Sequence, residues 1–265
     1  MITKDDINSY IDKIPPLPKT LTQTLALLNE GELIKAAQIA KEDMAFRNYL
    51  KNLLNKPIYG FTHEINDINQ IFAILGVNGS QQSVYNYMIH LLSPDKWIVF
   101  QLNKTLFQTL QAELSINWKK ILTHLQINNK NIESTITLIP ASIIVTEAIF
   151  AQKIDDVTLL RTTKDIDFNT ILQRLCHMDL FDIIEQIRNK WDLPLEIGAI
   201  IQAASGIKPS KDSHINMLGK WIHLLLFYTL SKPLFVHANL NDFIDFNPDY
   251  VADIYEDFIT LMEIQ

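Results

Sequence analysis

Apolar residues recur along the chain at intervals of three and four, the spacing of a helix face. No stretch alternates with period two for long enough to predict a strand. The first face is Ile7, Tyr10, Ile11 and Ile14, with Thr3 as N-cap and Asp5 and Asp6 in the first turn. Pro15, Pro16 and Pro18 end that helix and open a second on Leu21, Leu25 and Leu28, closed by Gly31. A short helix on Leu33, Ala36, Ala37 and Ile39 follows, then one capped by Asp43 and built on Phe46, Leu50, Leu53 and Leu54. Beyond the loop that begins Asn55-Lys56-Pro57, Asn66 or Asp67 caps a helix through Ile68, Ile71, Phe72 and Leu75 that ends at Gly76; another covers 80–92. Ser93-Pro94 reads as the cap and first turn of a new unit, dividing the chain into 1–93 and 94–265.

In the second unit Phe107, Leu110, Leu114, Trp118, Ile121 and Leu125 share one long helical face. The polar stretch 155–167 reads as loop-rich, and helices resume over 168–175, 180–190 and 195–204. Pro209 opens a further helix over 211–230, and Asn247-Pro248 starts a last one on Val251, Ile254, Phe258 and Leu261. One segment breaks the amphipathic rule. Ser134–Gln152 is apolar almost all round, interrupted only by Ser, Thr and Glu147, so as a helix it is buried on most sides. Pro140 costs it one backbone hydrogen bond and predicts a kink. It falls short of the roughly 20 apolar residues that span a bilayer, and reads as the central helix of the second unit. The fold class is all-α, a multi-helical bundle preceded by a smaller N-terminal helical subdomain.

Net charge is −7, and beyond Lys232 there is no Lys or Arg while Asp242, Asp245, Asp249, Asp253, Glu256 and Asp257 accumulate. Such a surface repels phosphate backbones and anionic lipid, which argues against nucleic acid and membrane as partners. The acidic last helix is a possible docking surface; a solvated outer face is the preferred reading. Cys176 is the only cysteine, so an intrachain disulfide and a CxxC site are both excluded. The N-terminus lacks the apolar core of a signal peptide, and the expected location is cytoplasmic.

Several motifs fall in a recognisable order. Ile14-Pro15-Pro16-Leu17-Pro18 is followed by Asp43, Asn55-Lys56-Pro57-Ile58-Tyr59-Gly60, Ile65-Asn66-Asp67-Ile68 and Ile74-Leu75-Gly76-Val77. This series resembles the N-terminal half of the HDOD domain, the HD-related output domain of bacterial signalling proteins. That family has a Pro-Leu-Pro entry, an Asn-Ser-x-x-Tyr/Phe-Gly turn and a Leu-Gly helix end at similar spacing; Lys56 stands where Ser is common. Trp191-Asp192-Leu193-Pro194, with the apolar run to Ile201, resembles the family's Trp-x-Leu-Pro segment. The resemblance assigns structural roles to Pro15, Leu17, Pro18, Asn55, Tyr59, Gly60, Leu75, Gly76, Trp191 and Pro194. It implies an HD-like helical fold and bacterial signal transduction, where such domains stand beside receiver, diguanylate cyclase or phosphodiesterase domains. None of these is in this sequence, so the expected partner is a separate signalling protein of a cyclic-dinucleotide or two-component pathway.

An HD-type phosphohydrolase holds one or two metals with His and Asp from neighbouring helices, lowering the pKa of bound water and polarising a phosphate. Its mark is a His-Asp pair on a central helix, and this sequence contains no His-Asp dipeptide. Aligned by apolar pattern, Ile139-Pro140 falls near the pair, Thr109 where a ligand His stands, Ala203-Ala204-Ser205 where a His-His pair is common, and Gly219 near the last Asp. The expectation is therefore no metal, no cofactor and no catalysis; the alternative is a divergent metal-dependent phosphohydrolase with unrecognised ligands. His63, His90, His124, His177, His214, His223 and His237 are scattered, with no two at i, i+4 on one helix. His177-Met178-Asp179 is the best cluster, read in preference as a helix start with Asp179 as N-cap, and His223 as a hydrogen-bonded core residue. Cys176 and His177 point about 100° apart on a helix, which disfavours a thiol nucleophile. With 7 glycines and no GxGxxG or Walker pattern, phosphate-cradling loops are not expected. In the loop 56–64, Tyr59, Phe61 and His63 could meet a partner; the preferred reading has the aromatics packed as plugs between the two halves.

Overall fold

The computed structural model describes residues 2–16, 18–164, 166–241 and 243–263, so Leu17 of the Pro-Leu-Pro entry and Asp242 lie outside the described residues. Among these the secondary structure is helical throughout, with no strand. Helix α1 (Lys4–Asp12) starts on a reciprocal cap: Thr3 Oγ1 accepts from the Asp6 N–H and Asp6 Oδ2 accepts from the Thr3 N–H. Then come α2 (Lys19–Asn29), α3 (Leu33–Ala40), α4 (Met44–Leu54) and α5 (Ile68–Leu91). Asp43 and Asp67 cap α4 and α5 through their carboxylates. Gly76, at φ +68° and ψ −174°, interrupts α5, so its two halves are separate helical segments. On α3 the fully buried residues are Ala36, Ala37 and Ala40, while Leu33 and Ile39 are only partly covered.

Two apolar cores result. Residues of α2 to α5 form the smaller one around Phe46, Leu50, Phe72 and Tyr87. The larger one belongs to the second half of the chain, yet it takes in Ile7, Ile11 and Ile14 from the first helix and its exit. Trp191 and Leu193, of the Trp-x-Leu-Pro segment, pack against both cores.

The expected helix start at Ser93-Pro94 is corrected. Residues 93–103 run without regular structure, and α6 (Lys104–His124) is capped instead by Asn103, whose Oδ1 accepts from the Leu106 N–H. The reason is tertiary: Val99, Phe100 and Leu102 are buried in the larger core and the N–H groups of residues 98–100 turn onto the Glu147 carboxylate, which holds the segment out of a helix. The central apolar run is α7 (Lys130–Thr135), a 3₁₀ turn over Ile136–Leu138 and α8 (Ile139–Ala151). Pro140 sits in the first turn of α8, where its missing N–H breaks no helical bond. The helical run Lys130–Ala151 is longer than expected, and by length and composition alone it could cross a membrane. It does not lie exposed: 89% of its apolar window is buried inside the fold.

Residues expected to be loop form α9 (Ile154–Lys164), a surface helix anchored by buried Val157, with the Arg161 guanidinium 4.2 Å from the Phe168 ring centre. A single buried residue leaves no periodic stripe to read. After it come α10 (Phe168–Cys176), α11 (Leu180–Lys190), α12 (Leu195–Ala204) and α13 (Ser213–Leu230), the last capped by Asp212 rather than opened by Pro209. The chain closes with α14 (Pro233–Val236), α15 (Pro248–Val251) and α16 (Tyr255–Met262). The expected single terminal helix is thus broken at 252–254. Its first turn is held against α13 by the Tyr250 hydroxyl on Asn216 and by Lys220 on Asp253 at 2.6 Å.

Candidate functional site

The residues that the apolar pattern aligned with the ligand positions of an HD hydrolase make contacts of other kinds. On α12 and α13, Gly219 lies against Ala203 and Ala204: a Cβ on Gly219 would stand 2.6 Å from the Ala203 Cβ, 2.8 Å from its carbonyl carbon and 3.0 Å from the Ala204 nitrogen. The two helices touch backbone to backbone, leaving no room for an acidic side chain or an ion. Ser205 Oγ donates to the Gln202 carbonyl and accepts from the Ile207 and Lys208 N–H groups, so it terminates α12. Ile139 and Pro140 are buried in the larger core region. Thr109 Oγ1 accepts from Lys56 Nζ at 3.1 Å, which sets an ammonium beside the position of a cation ligand; partial burial lowers the pKa of that lysine. Among the described residues no group of three or more His, Cys, Asp or Glu is arranged to hold a metal. The residues present do not fit the divalent ion of an HD-type phosphohydrolase.

The remaining candidates resolve individually. Asp179 caps α11 and shares a reciprocal cap with Asp182, while His177 ends α10 at φ +51° with its side chain exposed. Cys176 is fully buried, and that burial pushes its thiol up to about 11, the opposite of an activated nucleophile. His223 is buried between α12 and the segment before α15: Nδ1 lies 2.9 Å from the Ala204 carbonyl and Nε2 accepts from the Asn247 N–H at 3.0 Å. Asn247 in turn donates to the Gly206 carbonyl, and the Phe246 ring stacks on the imidazole. This arrangement needs the neutral ring with its proton on Nδ1, and desolvation lowers the pKa accordingly. Against an unfolded value near 6.5, the unfolded chain binds the proton more readily. Stability is therefore full above that pH and falls as the pH drops from there toward the folded pKa. Urea unfolding at pH 7.5 and 5.5 is expected to show a loss of up to about 1.4 kcal/mol per pH unit from this group. A His223→Phe variant, less stable at both, should have a shallower slope; an unchanged slope would refute the assignment.

The loop after α4 is closed by Asn55, which imitates a strand partner. Its Oδ1 accepts from the Ile65 N–H at 2.9 Å and its Nδ2 donates to the Ile65 carbonyl at 3.1 Å. Within the loop Gly60 takes φ +69°, as the motif requires of a glycine. Tyr59 packs on the smaller core, and burial raises its phenol pKa. Phe61 does not fold back as expected; it is 41% exposed, and His63 is exposed beside it.

Tyr59 also walls a feature the sequence reading missed. The second half of α5 carries Ser80, Gln81, Gln82, Ser83 and Asn86, all buried. Their amides are tied to neighbours: Asn86 Nδ2 donates to Ser115 Oγ, Gln111 Nε2 to the Asn86 carbonyl, Tyr49 Oη to Gln111 Oε1 and Gln82 Nε2 to the Glu133 carbonyl. A recess of about 180 Å³ opens here among Tyr59, Ser83, Asn86, Ser115, Lys119 and Glu133. Lys119, Glu133 and Leu75 also line an outer cleft of about 580 Å³ that runs past the break at Gly76. Buried Glu133 has a raised pKa, because loss of water outweighs the Lys119 charge and the Asn78 amide. Polar residues at core-facing positions of an otherwise apolar helix were the available signal; read one at a time they look solvated.

A family model of the HDOD domain matches residues 14–206. The chain belongs to the HDOD domain family. No curated protein matches the sequence. Two solved structures share the HDOD fold along nearly the whole chain, beyond the span of the family model. One is an HDOD domain protein with unknown function from Geobacter sulfurreducens, 15% identical, with a TM-score of 0.62 over 98% of this chain and 96% of that one. The other, named "Putative phosphohydrolase", is from Shewanella amazonensis SB2B, 15% identical, with a TM-score of 0.60 over 97% of each chain. At such identity the likeness is one of fold. It places the all-helical HDOD architecture on this chain.

Proposed function

We propose that this HDOD domain is a non-catalytic signalling module, acting through contacts with other signalling proteins or by sensing a small ligand. The contact of Gly219 with Ala203 and Ala204 carries this reading, because close helix packing fills the place where a hydrolase would keep its acidic ligand. The Lys56 ammonium on Thr109 supports it, since a fixed positive charge opposes a divalent cation there. Members of a cyclic-dinucleotide or two-component pathway are the partners this reading favours, with the protein in the cytoplasm and neither nucleic acid nor membrane engaged. A second reading, a divergent metal-dependent phosphohydrolase, draws on the fold shared with the neighbour named as a phosphohydrolase. Metal analysis after incubation with Mn, Fe or Zn, followed by assays on nucleotides and cyclic dinucleotides, separates the two. The expected result is substoichiometric metal and no hydrolysis; stoichiometric metal with turnover would establish the hydrolase instead.

A further inference from the structure

An apolar groove of about 390 Å³ lies between α13 and α16, beyond the residues 14–206 that the family model matches. Its walls are Leu224, Phe227 and Tyr228 on α13 and Tyr255, Phe258 and Ile259 on α16. Leu224 and Phe258 are buried, but Phe227 and Tyr255, one on each wall, remain 36% and 43% exposed. From Leu224 to Ser231 the groove follows α13 for about 10 Å, two helical turns. Few hydrogen-bonding groups line it: the hydroxyls of Tyr228, Ser231 and Tyr255, and the Lys232 ammonium, which Glu113 holds at 2.6 Å. An extended chain laid here would bury backbone N–H and C=O groups without partners, whereas a helix satisfies its own.

The charge around the groove is one-sided. Lys220, one turn before Leu224 on α13, is neutralised by Asp253 at 2.6 Å, as Lys232 is by Glu113. Glu256 stands about 60° round α16 from Ile259, at the groove's edge. It is exposed and, among the described residues, makes no ion pair. Glu263, on the same side, meets only Lys120, at 3.5 Å and with both side chains exposed, a weak pair. No Lys or Arg follows Lys232 in the chain.

We propose that this groove receives a basic amphipathic helix of a partner protein, its apolar stripe against Phe227 and Tyr255 and a flanking Lys or Arg against Glu256. Residues i, i+3 or i+4, and i+7 of such a helix share one face over the two turns that the groove offers. Burial of the apolar stripe supplies the affinity, and the carboxylate selects basic helices over acidic ones. This inference rests on the contact-making form of the proposed function and names its surface and the chemistry of its partner.

Fluorescence anisotropy of the full chain with a labelled Leu/Lys amphipathic peptide tests it, at about 0.15 M salt so that long-range attraction is screened. Saturable binding is expected, with affinity reduced about tenfold or more by Tyr255→Ser, which truncates an aromatic anchor. Glu256→Lys, a surface change that leaves the packing alone, should weaken it too. Glu42→Lys, the same change of charge on the exposed link between α3 and α4, should bind as the wild type does. The peptide with Glu in place of every Lys is expected not to bind. No saturation by about 1 mM peptide overturns the inference. So does equal affinity for the acidic peptide, binding that survives both groove substitutions, or an equal loss with Glu42→Lys. Analytical ultracentrifugation tests the rival occupant: a dimer of this chain that Tyr255→Ser breaks would give the groove to a second copy and overturn the partner helix. The two readings fail separately: metal-dependent hydrolysis would sink the non-catalytic module without touching these titrations, and a failed titration would leave the metal assay standing.

Discussion

Glu147→Ala is expected to destabilise the protein by about 3–5 kcal/mol, the cost of breaking a buried charged contact by removing one side of it. Glu147 is 1% exposed on the central helix, and its carboxylate accepts from three successive backbone N–H groups. Ile98 donates to Oε1 at 2.5 Å, Val99 to both oxygens at 3.1 Å and Phe100 to Oε2 at 2.9 Å. These are the donors of the irregular stretch before α6, which has no strand or helix partner to satisfy them. Alanine would orphan the Val99 and Phe100 N–H groups inside the core, with that of Ile98 at its edge, and leave a cavity beside them. A loss of that size is a large share of the 5–15 kcal/mol that holds an ordinary domain together. Glu147→Gln keeps the volume but turns an NH₂ toward donors, so an intermediate loss is expected. Urea unfolding of both variants checks the order; an alanine variant within about 1 kcal/mol of wild type would show that the clamp holds nothing.

The second large effect lies at the α12–α13 crossing. Gly219→Ala should cost about 2–3 kcal/mol, at the upper end for forcing an extra carbon into a packed core. The methyl would meet backbone, not only a side chain: the Ala203 carbonyl carbon and the Ala204 nitrogen lie within 3.0 Å of the added Cβ. Ala203→Gly in the same chain should therefore rescue only part of the loss. Gly219→Asp, which writes back the residue type of a metal ligand, is expected to be less stable still and to gain no metal. Thermal unfolding with metal analysis reads both. A fully stable Gly219→Asp that took up stoichiometric metal would overturn the fit test and, with it, the main support for a non-catalytic domain.

Some of this molecule is legible residue by residue. Thr3, Asp43, Asp67, Asp179 and Asn247 announce helix starts because a cap acts within three residues of itself. Gly31, Gly60 and Gly76 announce reversals because each takes a positive φ. The family series, too, is local, and Asn55 with Gly60 shows the physical content of one motif: a loop tied shut by a side chain that pairs with Ile65. The candidate site was read only as a loss, at Thr109, Ala203 and Gly219. The polar recess beside α5 was invisible because Asn86, Ser115 and Glu133 meet only in three dimensions.

The chain by itself determined the all-α class, most helix bounds, the buried central helix and the family, since all of these follow from spacing and from contacts between near neighbours. Tertiary structure alone decided which polar groups go inside and what they do there. Glu147 finds Val99 across 48 residues and Gln82 finds the Glu133 carbonyl across 51, and no local pattern encodes such partners. It also decided that Lys130–Ala151, apolar enough for a membrane, is wrapped by helices instead, because burial is a property of what packs around a segment and not of the segment.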